Sequence, residues 1–189
     1  MSRHKGSKAE ATRALILEAA TELFSELGVN EVSISRIMTE IGLTHGGFYK
    51  YFSSKEMLAA EVCDLTLSRA RSSWEEHVAH ARQTAENPYR YLISQYLSCA
   101  EKGSEVIVAF SHSTMGNCQE TLFSQSYREG LDVLRQTLLN VAQESGAERT
   151  KAHVLVHFAA MLGTALLFRT CGSEPWVREI EMSLLDQLG

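Results

Sequence analysis

Thr44, His45, Tyr49, Lys50 and Tyr51 crowd hydroxyl, imidazole, phenol and ammonium groups around the small pair Gly46-Gly47. No carboxylate stands among them, so the stretch T-H-G-G-F-Y-K-Y suits binding to an anion better than proton transfer. Donors with small neighbours and amphipathic aromatics are what phosphate oxygens and the edges of bases in a groove require. Ser33 and Ser35 upstream and Lys55 downstream add further groups able to hold a phosphate. No nucleophile elbow, P-loop or dinucleotide fingerprint accompanies them, so no catalytic residue is assigned and an enzyme is not expected.

Two short helices must position these groups. Ile34, Ile37, Met38 and Ile41 recur at the spacing of one helix face, and Gly42 follows where a left-handed stop belongs. Thr44 is placed to cap a second short helix, whose inner face carries Phe48 and Phe52, four apart. Residues 33–52 therefore read as a helix-turn-helix, with the leading end of its second helix directed at the major groove.

The preceding segment supplies the rest of a small core. Residues 1–8 read as a mobile basic arm. From Ala9 onward Leu15, Ile16, Ala19, Ala20, Leu23, Phe24 and Leu27 mark an amphipathic helix stopped by Gly28. Val29 and Val32 lead to Ser33, the expected N-cap of the next helix. Ile16, Ala20, Leu23, Phe24, Ile34, Ile37, Ile41, Phe48 and Phe52 then form one core shared by three helices.

A net charge of −5 argues against a nucleic-acid partner until its distribution is read. Residues 1–60 carry seven Lys or Arg and seven Asp or Glu, whereas the remainder carries eleven against sixteen and holds the whole deficit. Arg3, Lys5 and Lys8 cluster at the start, and Arg36, Lys50 and Lys55 face only Glu40 within the motif. This is a locally basic face on an acidic body. Cys63, Cys99, Cys118 and Cys171 lie far apart with no C-x-x-C pair, against a disulfide framework or structural zinc. The polar, basic start has no apolar stretch of a signal peptide. The longest apolar run, Val154–Phe168, contains His157 and is short for a bilayer, so no membrane partner and a cytoplasmic location are expected.

The remainder reads as helices throughout, with no convincing strand alternation. Ser54 and Glu56 open a helix of more than twenty residues through Leu58, Val62, Leu65, Trp74 and Val78. Asn87-Pro88 opens another that ends near Gly103, and Ser104 is placed to cap the short segment Val106–Phe110. Leu122 to Val141 forms a long helix closed by Ser145-Gly146. Thr150–Thr170 is apolar nearly all round and is expected to be buried on every side, with a second subunit among its neighbours. A last helix begins at Pro175.

The motif T-R-x-x-I-L-E-A-A-x-E-L-F, followed by G-V and S-I-S-R-I-x-x-x-I-G-L-T-H-G-G-F-Y-K-Y-F-x-S-K-E-x-L, covers roughly Thr12–Glu61. It resembles the TetR family of bacterial one-component transcriptional regulators. Met38 and Ile41 depart from it, standing where the family usually has alanines. The resemblance implies an all-α fold of about nine helices. In it, 1–54 is a DNA-binding domain and 55–189 a ligand-binding and dimerisation domain. It also implies a homodimer joined through the last two helices, a palindromic operator in double-stranded DNA, and a small-molecule effector. Carried over by position, Ser33 and Ser35 contact phosphate. Thr44, His45, Gly46, Tyr49, Lys50 and Tyr51 face the groove, and Lys55 holds the backbone from the start of the fourth helix.

Other residues are weaker pointers. Trp74, Tyr96, Phe110, Tyr127, Phe158 and Met161 can line an apolar pocket, and each alone also reads as plain core. His153 and His157 lie one turn apart, but with no third ligand a hydrogen-bonded histidine is the better reading than a metal site. No cofactor is expected. Cys118 stands before a helix start, where a thiol is most easily activated, so a redox- or electrophile-sensing regulator stays open. A ligand-independent DNA-organising factor on the same fold also stays open.

Overall fold

A computed structural model of the protein describes residues 3–103, 105–114, 120–146 and 150–188, and of residues 3–7 and His112 the backbone alone. In chain order the helices are α1 (Arg3–Leu27), α2 (Ile34–Glu40), a 3-10 helix (His45–Lys50), α3 (Lys55–Gln83), α4 (Pro88–Glu101), α5 (Ile107–Thr114), α6 (Leu122–Glu144), α7 (Lys151–Cys171) and α8 (Pro175–Asp186). No strand occurs among the described residues.

The caps follow from the sequence at most helix ends. Ser33 Oγ accepts from the Arg36 N–H at 3.1 Å and Ser54 Oγ from the Met57 N–H at 3.1 Å. Asn87 Oδ1 accepts from the Tyr89 and Arg90 N–H groups, and Thr150 Oγ1 from that of His153. Gly28 at φ +86° and Gly42 at φ +69° occupy the left-handed conformation that closes α1 and α2. Three expectations change. α1 begins at Arg3, not Ala9, because residues 3–8 contain no proline and include Arg3, Lys5 and Lys8, which are good helix formers. Thr44 sits at the N-cap, but its hydroxyl makes no cap bond. Ser104 lies outside the described residues, and Glu105 caps α5, its carboxylate accepting from Ile107 N at 2.6 Å and Val108 N at 2.9 Å.

The chain divides into two compact units, Met1–Thr66 with Ala109–Glu129, and Leu67–Val108 with Gly130–Gly189. In the first, Ile16, Ala20, Leu23 and Phe24 of α1 are buried, as are Ile37 and Met38 of α2, Phe48, Phe52, and Leu58, Ala59 and Val62 of α3. Ile34 and Ile41, expected in this core, are only half-buried, and Val32 and Met38 take their share. The described residues between 109 and 129 fasten onto the same unit. The Val29 N–H donates to Ser113 Oγ at 2.9 Å, the Leu122 N–H to Glu56 Oε1 at 2.9 Å, and Phe110 meets Phe123 edge-on at 5.8 Å.

In the second unit α4 packs against α7 and α8. Leu92, Ile93 and Leu97 of α4 are buried, with Phe158, Met161, Ala165 and Phe168 of α7 and Val177 and Leu184 of α8. Each large aliphatic or aromatic side chain so buried contributes about 1.5–3 kcal/mol, set against the entropy of ordering it. α7 is not buried on every side. Val156 is 63% exposed and Leu155, Ala159, Gly163 and Leu166 are also exposed, because its apolar surface exceeds what α4 and α8 can cover. At 21 residues it is also longer than the apolar run suggests, and by length and composition alone it is long enough to cross a membrane. One stripe of it packs on α4 and α8 and carries the buried, hydrogen-bonded His157.

Candidate nucleic-acid interface

The first unit presents the helix-turn-helix as a buried seam with an exposed rim. α2 ends where the Gly42 N–H donates to Thr39 O at 3.0 Å and the Leu43 N–H to Met38 O at 2.8 Å. The chain then enters the 3-10 helix, where the Gly47 N–H donates to Thr44 O. Phe48 is fully buried and stacks on Phe52, with centroids 5.7 Å apart and planes 26° apart. The 3-10 winding in place of an α-helix keeps the same inward face over a short run.

The expected contact residues between 33 and 51 lie along the rim. Ser33, Ser35, Thr44, His45, Gly46 and Lys50 are exposed, Tyr49 is 57% exposed, and Tyr51 is half-buried. Ser33 uses its oxygen as the α2 cap, leaving its hydroxyl proton for an outside acceptor. Tyr49 stands edge-on to Phe48 at 5.3 Å and to His45 at 5.7 Å, so two rim rings are held by the seam beneath them. A methyl group built at Gly46 meets nothing within 4 Å, and at Gly47 only ordinary contacts with Met38 and Thr44. Packing within the chain therefore does not demand glycine at 46.

Lys55 stands apart from this rim. Half-buried at the first position of α3, its amine lies 3.4 Å from Asn30 O. Burial lowers its pKa below the usual lysine range, and the charge of Glu31 opposes that shift.

Sequence reasoning missed one group in this unit. Arg13 of α1 donates from both terminal nitrogens to the two carboxylate oxygens of Glu61 on α3, each at 2.5 Å, and its guanidinium carbon lies 4.6 Å from the centre of the Phe52 ring. The Glu61 hydrogen bond raises the Arg13 pKa, desolvation opposes it, and the charge of Glu61 adds to the rise. Forty-eight positions separate the pair, so no local spacing signals it.

The six residues expected to line a pocket are all buried. Trp74, Tyr96, Phe158 and Met161 belong to the second unit, where Trp74 meets Tyr96 edge-on at 6.0 Å. Phe110 and Tyr127 belong to the first. Two concavities are lined by other residues. One of about 290 Å³ in the first unit includes Val29, Lys55, Glu56 and Ser113, and one of about 470 Å³ along α8 includes Trp176, Ile180 and Ser183. His157 is buried with Nδ1 3.0 Å from the Tyr89 hydroxyl, whereas His153 is exposed, so the two histidines do not share one environment.

Cys118 lies outside the described residues. Of the others, Cys99 and Cys171 are exposed, and Cys63 is buried, its thiol pushed up to about 12 by desolvation first and by Asp64 second, which leaves it without thiolate reactivity.

Residues 16–62 match the family of bacterial regulatory proteins described as the tetR family. The chain is 37% identical over 68 residues to the HTH-type transcriptional regulator AcrR of Shigella flexneri, an alignment covering 36% of this chain and 32% of that protein. It is 33% identical over 102 residues to the HTH-type transcriptional repressor BepR of Brucella suis, covering 53% of this chain and 46% of the relative. These matches thus span less than half of either relative's length. Across 95% of both chains the fold superposes on a TetR transcriptional regulator from Chloroflexus aurantiacus with a TM-score of 0.79 at 22% identity.

Proposed function

We propose, from the premise that this chain belongs to the TetR family through residues 16–62, that it is a DNA-binding transcriptional regulator. The family is one of regulators and not of enzymes. The observation that carries the reading is the pairing of seam and rim: Phe48 and Phe52 anchor a helix whose outer positions present His45, Gly46, Tyr49 and Lys50 to solvent. Lys50, with Ser33 and Ser35, supplies phosphate contacts that give affinity, while Thr44, His45 and Tyr49 stand where base edges are read. An exposed glycine that internal packing does not require fits close approach by a nucleic-acid backbone.

In this reading the protein acts as a homodimeric repressor of a nearby operon, in the cytoplasm. The uncovered stripe Leu155, Ala159, Gly163 and Leu166 on α7, with Trp176 and Ile180 on α8, supports a dimer joined through the last two helices. Two-fold symmetry then calls for a palindromic operator with half-sites on the order of 34 Å apart or somewhat more. A small, largely apolar effector beside Trp74, Tyr96, Phe158 and Met161 favours a conformation that moves the helix starting at Lys55 and takes the reading helices out of register.

The test is a gel shift over duplexes from the region upstream of the neighbouring operon, comparing the native chain with a Tyr49→Ala, Lys50→Ala variant. Loss of the shifted band is expected. An unchanged band would remove the reading helix from the interface.

A further inference from the structure

Arg13, Phe52, Phe48, Tyr49 and His45 form an unbroken series of contacts that begins outside the helix-turn-helix. Glu61, on the second turn of α3, takes both terminal nitrogens of Arg13. The guanidinium, fixed in plane by that fork, lies 4.6 Å from the Phe52 ring centre. Phe52 stacks on Phe48, Phe48 meets Tyr49 edge-on, and Tyr49 meets His45 edge-on. Three elements distant in sequence thereby converge on the underside of the rings that form the rim.

A lone arginine on α1 has many rotamers, and the Phe52 ring, just past the 3-10 helix, has several of its own. The fork removes the first freedom and the stack the second. The short reading helix has few hydrogen bonds of its own with which to hold a bearing.

We propose that Arg13 is a positioning residue for DNA recognition. Held by Glu61, it fixes the bearing of the 3-10 reading helix through Phe52, so that discrimination between DNA sequences depends on an ion pair outside the helix-turn-helix. The proposal rests on the DNA-binding reading above. The alternative role for Arg13 is a direct phosphate contact, and the two differ in sign. Removing the negative charge of Glu61 makes the first unit more basic, so charge alone predicts tighter DNA binding by Glu61→Gln. Loss of positioning predicts weaker binding to the preferred sequence only.

The experiment measures fluorescence anisotropy of the full chain on two duplexes: one selected from a random-sequence library by the native protein, the other a scramble of equal composition. Each is titrated across a range of salt. For Glu61→Gln and for Arg13→Lys, affinity for the selected duplex is expected to fall roughly 3- to 10-fold, the scale of a half-exposed ion pair plus a cation–π contact. Affinity for the scramble is expected not to fall in either variant, and the salt slope to stay unchanged. Phe52→Leu, which keeps an apolar side chain at the site, shifts the same ratio in the same direction. Melting curves confirm that every variant is folded at the binding temperature. Glu61→Gln binding both duplexes as tightly as the native chain, or more tightly, overturns the proposal. So does an Arg13→Gln variant that weakens both duplexes equally and lowers the salt slope by about one, which marks a phosphate contact. A native chain that selects no duplex overturns the DNA-binding reading, and the proposal with it.

Discussion

The Tyr89 hydroxyl lies 3.0 Å from Nδ1 of His157, joining α4 to α7 with both side chains buried. Which group donates depends on the imidazole tautomer, but either arrangement satisfies polar atoms in an apolar setting. Tyr89→Phe keeps the ring and deletes this bond, so unfolding free energy is expected to fall by about 0.5–1.5 kcal/mol. Urea denaturation followed by circular dichroism reads this directly, and an unchanged midpoint shows that the bond contributes nothing net.

Lys50 is exposed on the rim at the end of the 3-10 helix, where it contributes charge more than shape. Lys50→Ala is expected to weaken selected and scrambled duplexes alike and to reduce the salt slope by about one. Tyr49→Ala, by contrast, is expected to act mainly on the selected duplex. Anisotropy titrations at several salt concentrations separate the two patterns.

Gly130 lets α6 pass close to α3. A methyl group built there runs into Leu67 Cδ1 and lies 3.0 Å from its Cβ and 3.2 Å from its Cγ, and Leu67 is itself buried. Gly130→Ala is expected to cost about 1–3 kcal/mol by overpacking, despite alanine's better helix propensity. In the double variant Leu67→Ala, Gly130→Ala the two losses should be smaller than additive, since each relieves the other. Additive losses in thermal melts would falsify the steric account.

Glu105 carries a pH signature. Burial raises its pKa above the usual carboxylate range, while hydrogen bonds from Val108, Ile107 and Tyr96 and the charge of Arg169 pull it back. Because the folded value lies above the unfolded one, its contribution is fully present below the unfolded pKa, about 4.3, and is lost as pH rises through the folded value. The native chain is therefore expected to lose stability across that window relative to Glu105→Gln, which does not titrate. Denaturant midpoints of the two proteins from pH 4 to pH 8 should diverge between the unfolded and folded pKa values and run parallel above the folded one.

The helices and most of their caps are legible in the chain because their causes are local. Ser33, Ser54, Asn87 and Thr150 each bond backbone N–H groups two or three residues ahead, and Gly28 and Gly42 supply backbone freedom at their own positions. The seam of Phe48 and Phe52 follows from a spacing of four. The start of α1 at Arg3 is misread because a basic run resembles a solvated arm as much as a helix.

By itself the sequence determined the all-helical class, the helix-turn-helix and the residues on its rim, since periodicity, caps and turn glycines act within a few residues of one another. The tertiary structure alone decided what joins positions far apart. It pairs Arg13 with Glu61 over Phe52, sets Tyr89 against His157, and leaves one stripe of α7 uncovered. Such contacts depend on the relative placement of whole helices, which the sum of many small packing energies sets and no single spacing records.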